Sequence, residues 1–349
     1  MEQKIEYVNI FDYLRPEYPF TAFIGGRGTG KTYSALRGEI TDKRGFMLWR
    51  RTEDERKLAT IPNMNPFNHL NTNEHWRIIA DQIAPKLTGF FRGVPNDDGE
   101  LKPDGPVLGY LMSLYALATV RGLSIPTDDV HDIIYDEFTP EGHVRELKNE
   151  GEAILNGYET INRNRELEGK PPVRLIMLSN SNKVDSPIFR TLGVTSELEK
   201  LIRKGSGSYF NKEMGLAIHL LKPAAAFEKA KKKTAIAKLT KGTAFYDMAY
   251  ENEFSHDDFS GVQPTKLVGF HPYIKFGSCH VWQRKGSSDY YCTYSGGAFG
   301  YKYRFDNQAD RMLANSRHGL TMRRSYAEGR ILWESYDLKL QFLDFFCLK

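Results

Sequence analysis

The chain has 349 residues, room for about two domains at roughly 150 residues each. Hydrophobic residues at 40% against charged residues at 26% exclude a collagen-like, wholly disordered or disulfide-built chain. A net charge of +4, from 48 Lys+Arg against 44 Asp+Glu, permits a nucleic-acid partner but requires that any basic patch be local. Cys279, Cys292 and Cys347 lack CxxC spacing, which argues against a zinc site or a disulfide framework and fits a reducing, cytosolic setting. The first residues carry no basic-then-apolar leader pattern. The longest apolar stretch, Tyr110 to Val120, is too short to span a bilayer.

In chain order, Phe20 to Ile24 is a short apolar run stopping at glycines, as a buried strand does. Thr32 to Ile40 reads as a helix, and Phe46 to Trp49 as a second strand closed by the pair Arg50-Arg51. Val107 to Ala116, Ile133 to Tyr135, Leu175 to Leu178 and Leu216 to Leu221 are further strand candidates, with a helix expected over Glu146 to Asn164. Strands interleaved with helices imply an α/β domain on a mainly parallel sheet. Composition shifts at Pro223, where a run rich in Ala and Lys begins. From Lys266 onward, Tyr273 to Gln283, Asp289 to Ser295 and Tyr301 to Phe305 read as strands with short turns, which favours antiparallel pairing. Asp306 to Ser316 and Leu338 to Phe346 read as helices. The expected divisions are an ATPase-type domain over 1–222, a basic linker or helical subdomain over 223–263 and a smaller α+β domain over 264–349.

The sharpest motif is Gly25-Gly26-Arg27-Gly28-Thr29-Gly30-Lys31-Thr32, which fits the phosphate-loop pattern GxxxxGK[ST]. Glycines let backbone N–H groups close around phosphate oxygens without a Cβ clash. The helix that follows offers unsatisfied N-terminal donors. Lys31 would neutralise the β- and γ-phosphates, and the Thr32 hydroxyl would ligate Mg²⁺, so ATP and Mg²⁺ are the expected cofactors. Second is Asp132-Ile133-Ile134-Tyr135-Asp136-Glu137, an apolar strand ending in two carboxylates. Asp136 would hold the metal, and Glu137 would polarise the attacking water. That second acid points to the additional-strand (ASCE) class of P-loop ATPases. Third, Asn180 in Leu178-Ser179-Asn180-Ser181-Asn182 follows an apolar strand and can sense the γ-phosphate through its amide; an ordinary strand-to-loop asparagine is the alternative. Fourth, Asn162-Arg163-Asn164-Arg165 ends the expected helix. It reads equally as a guanidinium offered to a neighbouring subunit's γ-phosphoryl and as a solvated basic helix end.

The order GGRGTGKT, LWRR, IIYDEF, NRNRE and LSNSN resembles the DNA-packaging motor ATPases of small tailed phages with protein-primed genomes, short relatives of the large terminases. The resemblance is tight from Phe23 to Asn180 and looser from Phe245 onward. It implies a homo-oligomeric ring, a pentamer by family likeness, on the portal of a procapsid. That ring pumps double-stranded DNA, with a packaging RNA as a further candidate partner. It implies action in the host cytoplasm, with no membrane partner. It makes Arg163 the trans-acting arginine and places a second trans-acting cation at Arg121, where relatives carry Lys. It also implies a C-terminal domain like an RNase H nuclease that has lost its active site. Asp289, Asp306, Asp310 and Asp337 are scattered, whereas two-metal cleavage needs carboxylates that converge, so no nuclease activity is expected.

Candidate DNA contacts are Arg56 and Lys57, Arg145 and Lys148, and the run Lys229 to Lys241 with Lys231, Lys232 and Lys233. A solvated helix face is the competing explanation for that run. A motor sliding along any sequence should touch mostly the backbone. The alternatives are a terminase-like ATPase with a live nuclease, a P-loop kinase, and an adaptor that uses ATP only to lock an assembly.

Overall fold

The computed structural model describes residues 7–26, 28–119, 129–140, 147, 149–180, 184–204, 207–222, 225–243, 246 and 259–348. The chain divides into two compact units, Met1–Leu192 with Lys200–His256, and Gly193–Glu199 with Asp257–Lys349. The stretch expected as a separate 223–263 segment is thus shared between them.

In the first unit the strands are β1 (Phe20–Gly25), β2 (Gly45–Arg50), β3 (Ile78–Ala84), β4 (Leu87–Pro95), β5 (Leu101–Ser113), β6 (Val130–Asp136), β7 (Arg174–Ser179), β8 (Gly207–Asn211) and β9 (Leu216–Leu221). They form one sheet in the order β3-β4-β5-β2-β6-β7-β1-β9-β8. From β5 to β9 along that order every pairing is parallel. The edges are antiparallel, with β3 and β4 on one side and β8 on the other. The parallel strands are near-continuous apolar runs because both faces are covered. Phe23, Phe46, Leu48, Ile134, Ile176 and Leu178 pack with Ala35, Leu36 and Ile40 of helix α1 (Lys31–Thr41) in one core.

Helices α2 (Glu53–Leu58), α3 (Asn68–Asn73), α4 (Leu114–Thr119), α5 (Glu150–Asn162), α6 (Pro187–Leu192), α7 (Thr195–Arg203), α8 (Ala225–Lys231) and α9 (Ala235–Thr240) follow in chain order. Thr52 starts α2 with a capping box closed by Glu55. The β3–β4 hairpin and β8 are additions to the expected set. Their residues are mixed polar and apolar, so no continuous run marks them.

The second unit carries β10 (Phe270–Phe276), β11 (Cys279–Arg284), β12 (Tyr290–Thr293), β13 (Tyr301–Tyr303) and β14 (Ile331–Trp333), with α10 (Gln308–Ala327) and α11 (Tyr336–Phe345). Its sheet order is β13-β10-β11-β12-β14. β11 runs antiparallel to both neighbours, while β13 and β14 pair in parallel. The expected single strand over Tyr273 to Gln283 is in fact a hairpin turning at Gly277, whose φ of 52° glycine adopts without a Cβ penalty. The helix expected to stop at Ser316 continues to Ala327, just short of Gly329. Phe276 stacks on Phe345 at 4.1 Å between centroids and anchors this core. Tyr290, Tyr291 and Tyr303 are buried, as core packing requires. Among the described residues no helix is long and apolar enough to cross a membrane.

Candidate nucleotide-binding site

Parallel strands bring their C-terminal ends to one edge of the sheet, and the chemistry gathers there. β1 ends at Gly25 and leads into the glycine loop, where Gly28 and Gly30 take φ of 85° and 86°. The loop is tightly enclosed. A Cβ at Gly25 would lie 2.8 Å from the Leu221 carbonyl oxygen, and one at Gly30 would lie 2.6 Å from Tyr7 Cβ. Gly30 caps α1 with no side-chain hydrogen bond, so the first donors of that helix are left for an anion. Lys31 is 4% exposed. Its ammonium donates to the carbonyls of Gly25 at 2.8 Å and Gly26 at 3.2 Å and to Thr29 Oγ1 at 3.0 Å. Burial lowers its pKa to about 8; the carboxylates of Asp136 and Glu137 act against that, while the nearby charge of Lys231 adds to it.

Asp136, at the end of β6, is 5% exposed. Its Oδ1 accepts the Thr32 hydroxyl at 3.0 Å, and its Oδ2 is ion-paired with Arg50 Nη1 at 3.1 Å. Glu137 follows in the turn, exposed, at φ 58°. A non-glycine residue there is strained, a condition that recurs at functional sites. The turn is fastened to β7 by Phe138 N–H donating to the Leu178 carbonyl at 3.2 Å. Asn180 comes one residue after Ser179, which pairs with Ile24 of β1. Because β7 lies between β6 and β1, Asn180 emerges between Asp136 and the glycine loop. Lys31, Thr32, Asp136, Glu137 and Asn180, expected from separate motifs, therefore share one edge.

The two arginines after α5 separate clearly. Arg165 is buried and donates to the carbonyls of Pro171 at 3.3 Å and Val130 at 3.2 Å. It therefore braces the fold. Arg163 is exposed at the helix end with φ 49°. Val130 begins β6 and Asp136 ends it, a span of about 20 Å at roughly 3.3 Å per residue. Arg163 thus sits beside the N-terminal edge of the strands, too far to reach the glycine loop of its own chain.

One DNA candidate is corrected. Arg56 is 3% exposed, donating to Glu53 Oε1 and to Thr88 Oγ1, which takes its guanidinium out of reach of a phosphate backbone. Lys57 and Lys233 are exposed, and Lys232 pairs with Glu228 at 2.9 Å. Arg27, Arg121, Arg145 and Lys148 lie outside the described residues.

Sequence reasoning missed a buried network one strand away. Arg51 Nε and Nη2 grip Glu150 at 2.7 and 2.8 Å, and Tyr135 donates to the same carboxylate at 2.9 Å. Burial and the Glu150 charge raise the Tyr135 pKa well above the usual range. Nothing local signals a partner 99 positions away.

A mixed α/β domain with a glycine loop opposite paired acids is the class these features define. The fold is similar to two solved structures, each aligned over 98% of this chain and 98% of the other. They are the Phi-28 gp11 DNA packaging motor, at TM-score 0.64 and 18% identity, and the bacteriophage Phi-29 viral genome packaging motor assembly, at 0.65 and 19%. The family model for the podovirus DNA encapsidation protein (Gp16) matches residues 104–318, more than half of the chain. The chain belongs to that family. The DNA packaging protein of Bacillus phage B103 is 28% identical over 244 residues, 67% of this chain and 64% of that protein. That of Bacillus phage phi29 is 28% identical over 239 residues, covering 67% and 61%. The chain thus matches under two thirds of those relatives' own length.

Proposed function

We propose that this protein is an ATP-hydrolysing motor that moves double-stranded viral DNA into a procapsid as a homo-oligomeric ring on the portal. The observation that carries the reading is the meeting of Lys31, Thr32, Asp136 and Glu137 at one sheet edge, beside a helix whose first N–H groups have no side-chain cap. The relatives named as DNA packaging proteins point to DNA as the cargo, and the ring on the portal is consistent with a fold like that of a viral genome packaging motor assembly.

The residues fit a triphosphate with Mg²⁺. Only glycine allows the loop its path at Gly25 and Gly30, where a Cβ would strike Leu221 or Tyr7, and the ammonium inside is held by neutral acceptors that a phosphate would outcompete. Bound Mg²⁺ would neutralise charge on the phosphates. Lys31 would turn from the carbonyls of Gly25 and Gly26 toward the β- and γ-phosphates, while Thr32 and Asp136 hold the metal. Glu137, strained and exposed beyond Asp136, would orient and deprotonate the attacking water. Asn180 would read the γ-phosphate. Arg163 is the trans-acting finger in this reading because it stands at the opposite strand edge of its own chain. Arg121 and Arg27 are proposed as a second trans cation and a loop contact. The C-terminal unit would serve docking or grip rather than cleavage.

The test is phosphate release by the pure protein with and without double-stranded DNA, alongside its mass in solution. Release to water without any acceptor, accelerated by DNA, is expected of a ring-forming motor. Transfer only to a small acceptor would make it a kinase. DNA uptake supported equally by a non-hydrolysable analogue would make it an adaptor.

A further inference from the structure

The arginine pair closing β2 has no role in the reaction sketched above. Its members are committed in different directions. Arg51 is locked on Glu150 of α5, and Arg50 reaches Asp136 from the neighbouring strand, where Trp49 pairs with Tyr135. Both oxygens of Asp136 are therefore engaged, one by the Thr32 hydroxyl and the other by a permanent cation. Among the described residues no other cation is ion-paired with Asp136, although the Lys31 ammonium lies close enough for the two charges to interact. Lys31 spends its donors on Gly25, Gly26 and Thr29, and Arg51 is held by Glu150. The Arg50 side chain is 19% exposed and that of Asp136 is 7% exposed, so solvent screens the pair only partly.

We infer that Arg50 is the counter-ion of the nucleotide-free site, holding Asp136 in place and keeping a divalent cation off that carboxylate until a triphosphate arrives to balance the added charge. A guanidinium and a divalent ion on one carboxylate repel each other strongly where water is scarce. A triphosphate supplies the negative charge that makes the metal's arrival favourable and gives the displaced guanidinium somewhere to go. Metal and nucleotide then bind as coupled ligands, and the motor does not fill with metal between turnovers. Arg50 acts through Asp136, so it is a positioning residue. This inference rests on the nucleotide-site reading above.

The experiment is Mn²⁺ binding to the full chain, followed by the electron paramagnetic resonance of the free ion, with and without a non-hydrolysable ATP analogue. The wild type should bind Mn²⁺ weakly alone and tightly with the analogue. Arg50→Gln should bind Mn²⁺ alone about tenfold more tightly, by the loss of one nearby charge, and Arg50→Ala should repeat that gain in a second background. Arg50→Lys, which keeps the charge, should stay near wild type. Asp136→Asn added to Arg50→Gln should erase the gain. The inference is overturned if Arg50→Gln and Arg50→Ala bind Mn²⁺ no more tightly than wild type while analogue-supported binding persists, or if the gain survives Asp136→Asn. A wild type that binds no Mn²⁺ even with the analogue would remove the nucleotide-site reading itself, and this inference with it.

Discussion

Asp132 and Asp136 lie on the same strand, β6, and their side chains face the same side. Asp132, near the N-terminal edge, is fully buried and clamped by Arg174 through two bonds of 2.5 and 2.6 Å. Asp136, at the C-terminal edge, holds a hydroxyl and a single guanidinium nitrogen beside a loop with unspent backbone donors. The same residue type is structural at one edge and, in the proposed reading, a metal ligand at the other. What separates them is how completely their partners satisfy them. Arg165 and Arg163 repeat the lesson, since the first is buried against two carbonyls and the second is exposed at a helix end.

The sharpest way to break that contrast is at Glu137. Glu137→Gln should bind nucleotide yet lose about 10²–10⁴ in turnover, with its melting temperature unchanged. A comparable loss of stability would make Glu137 a structural acid like Asp132. Arg163→Ala should lose about 10³ or more in turnover and regain it when mixed with Lys31→Ala subunits, each supplying what the other lacks. Arg165→Ala should instead lose about 1–3 kcal/mol of stability, the cost of two stranded carbonyls, and mixing should restore nothing. Arg174→Met leaves the buried Asp132 with only the longer ion pair to Arg44, at 3.8 Å, and should cost about 3 kcal/mol in denaturant unfolding.

The effect of pH sharpens the comparison further. With its pKa lowered to about 8, Lys31 loses its proton in the folded, nucleotide-free chain before the unfolded chain does. Stability of that form should therefore rise between about pH 8 and 10.5. Nucleotide affinity, which needs the ammonium, should fall about tenfold per pH unit above about 8. The smallest effect is expected at Glu39. Burial first, then the neighbouring Asp132, raises its pKa well above the ordinary range, and neither of its oxygens has a hydrogen-bond partner among the described residues. Wild-type stability should decline as pH rises above the unfolded carboxyl range, and Glu39→Gln should flatten that slope in denaturant unfolding.

Elements whose function or burial forces a continuous pattern were readable from the chain. The glycine loop, the apolar run into Asp136 and Glu137, and the strand before Asn180 each carry their signal within a few residues, and the parallel order follows from alternation with helices. The β3–β4 hairpin was not readable, because its partly solvated residues break the alternation. The turn at Gly277 was hidden inside a stretch that reads as one strand. Which arginine of the Asn162–Arg165 motif faces solvent depends on Pro171 and Val130, and the partner of Arg51 lies far along the chain at Glu150. Such tertiary facts have no local trace. Arg56, one turn inside α2, reads as a free cation until the fold brings Thr88 against it.

The most direct measurement is a crystal structure of the full chain with Mg²⁺ and a non-hydrolysable ATP analogue. This account predicts β- and γ-phosphates on the Lys31 ammonium, the metal on Thr32 and Asp136 with Arg50 drawn away, and the Glu137 carboxylate facing the γ-phosphate. A triphosphate bound elsewhere, with Lys31 still turned to the carbonyls of Gly25 and Gly26, would contradict it.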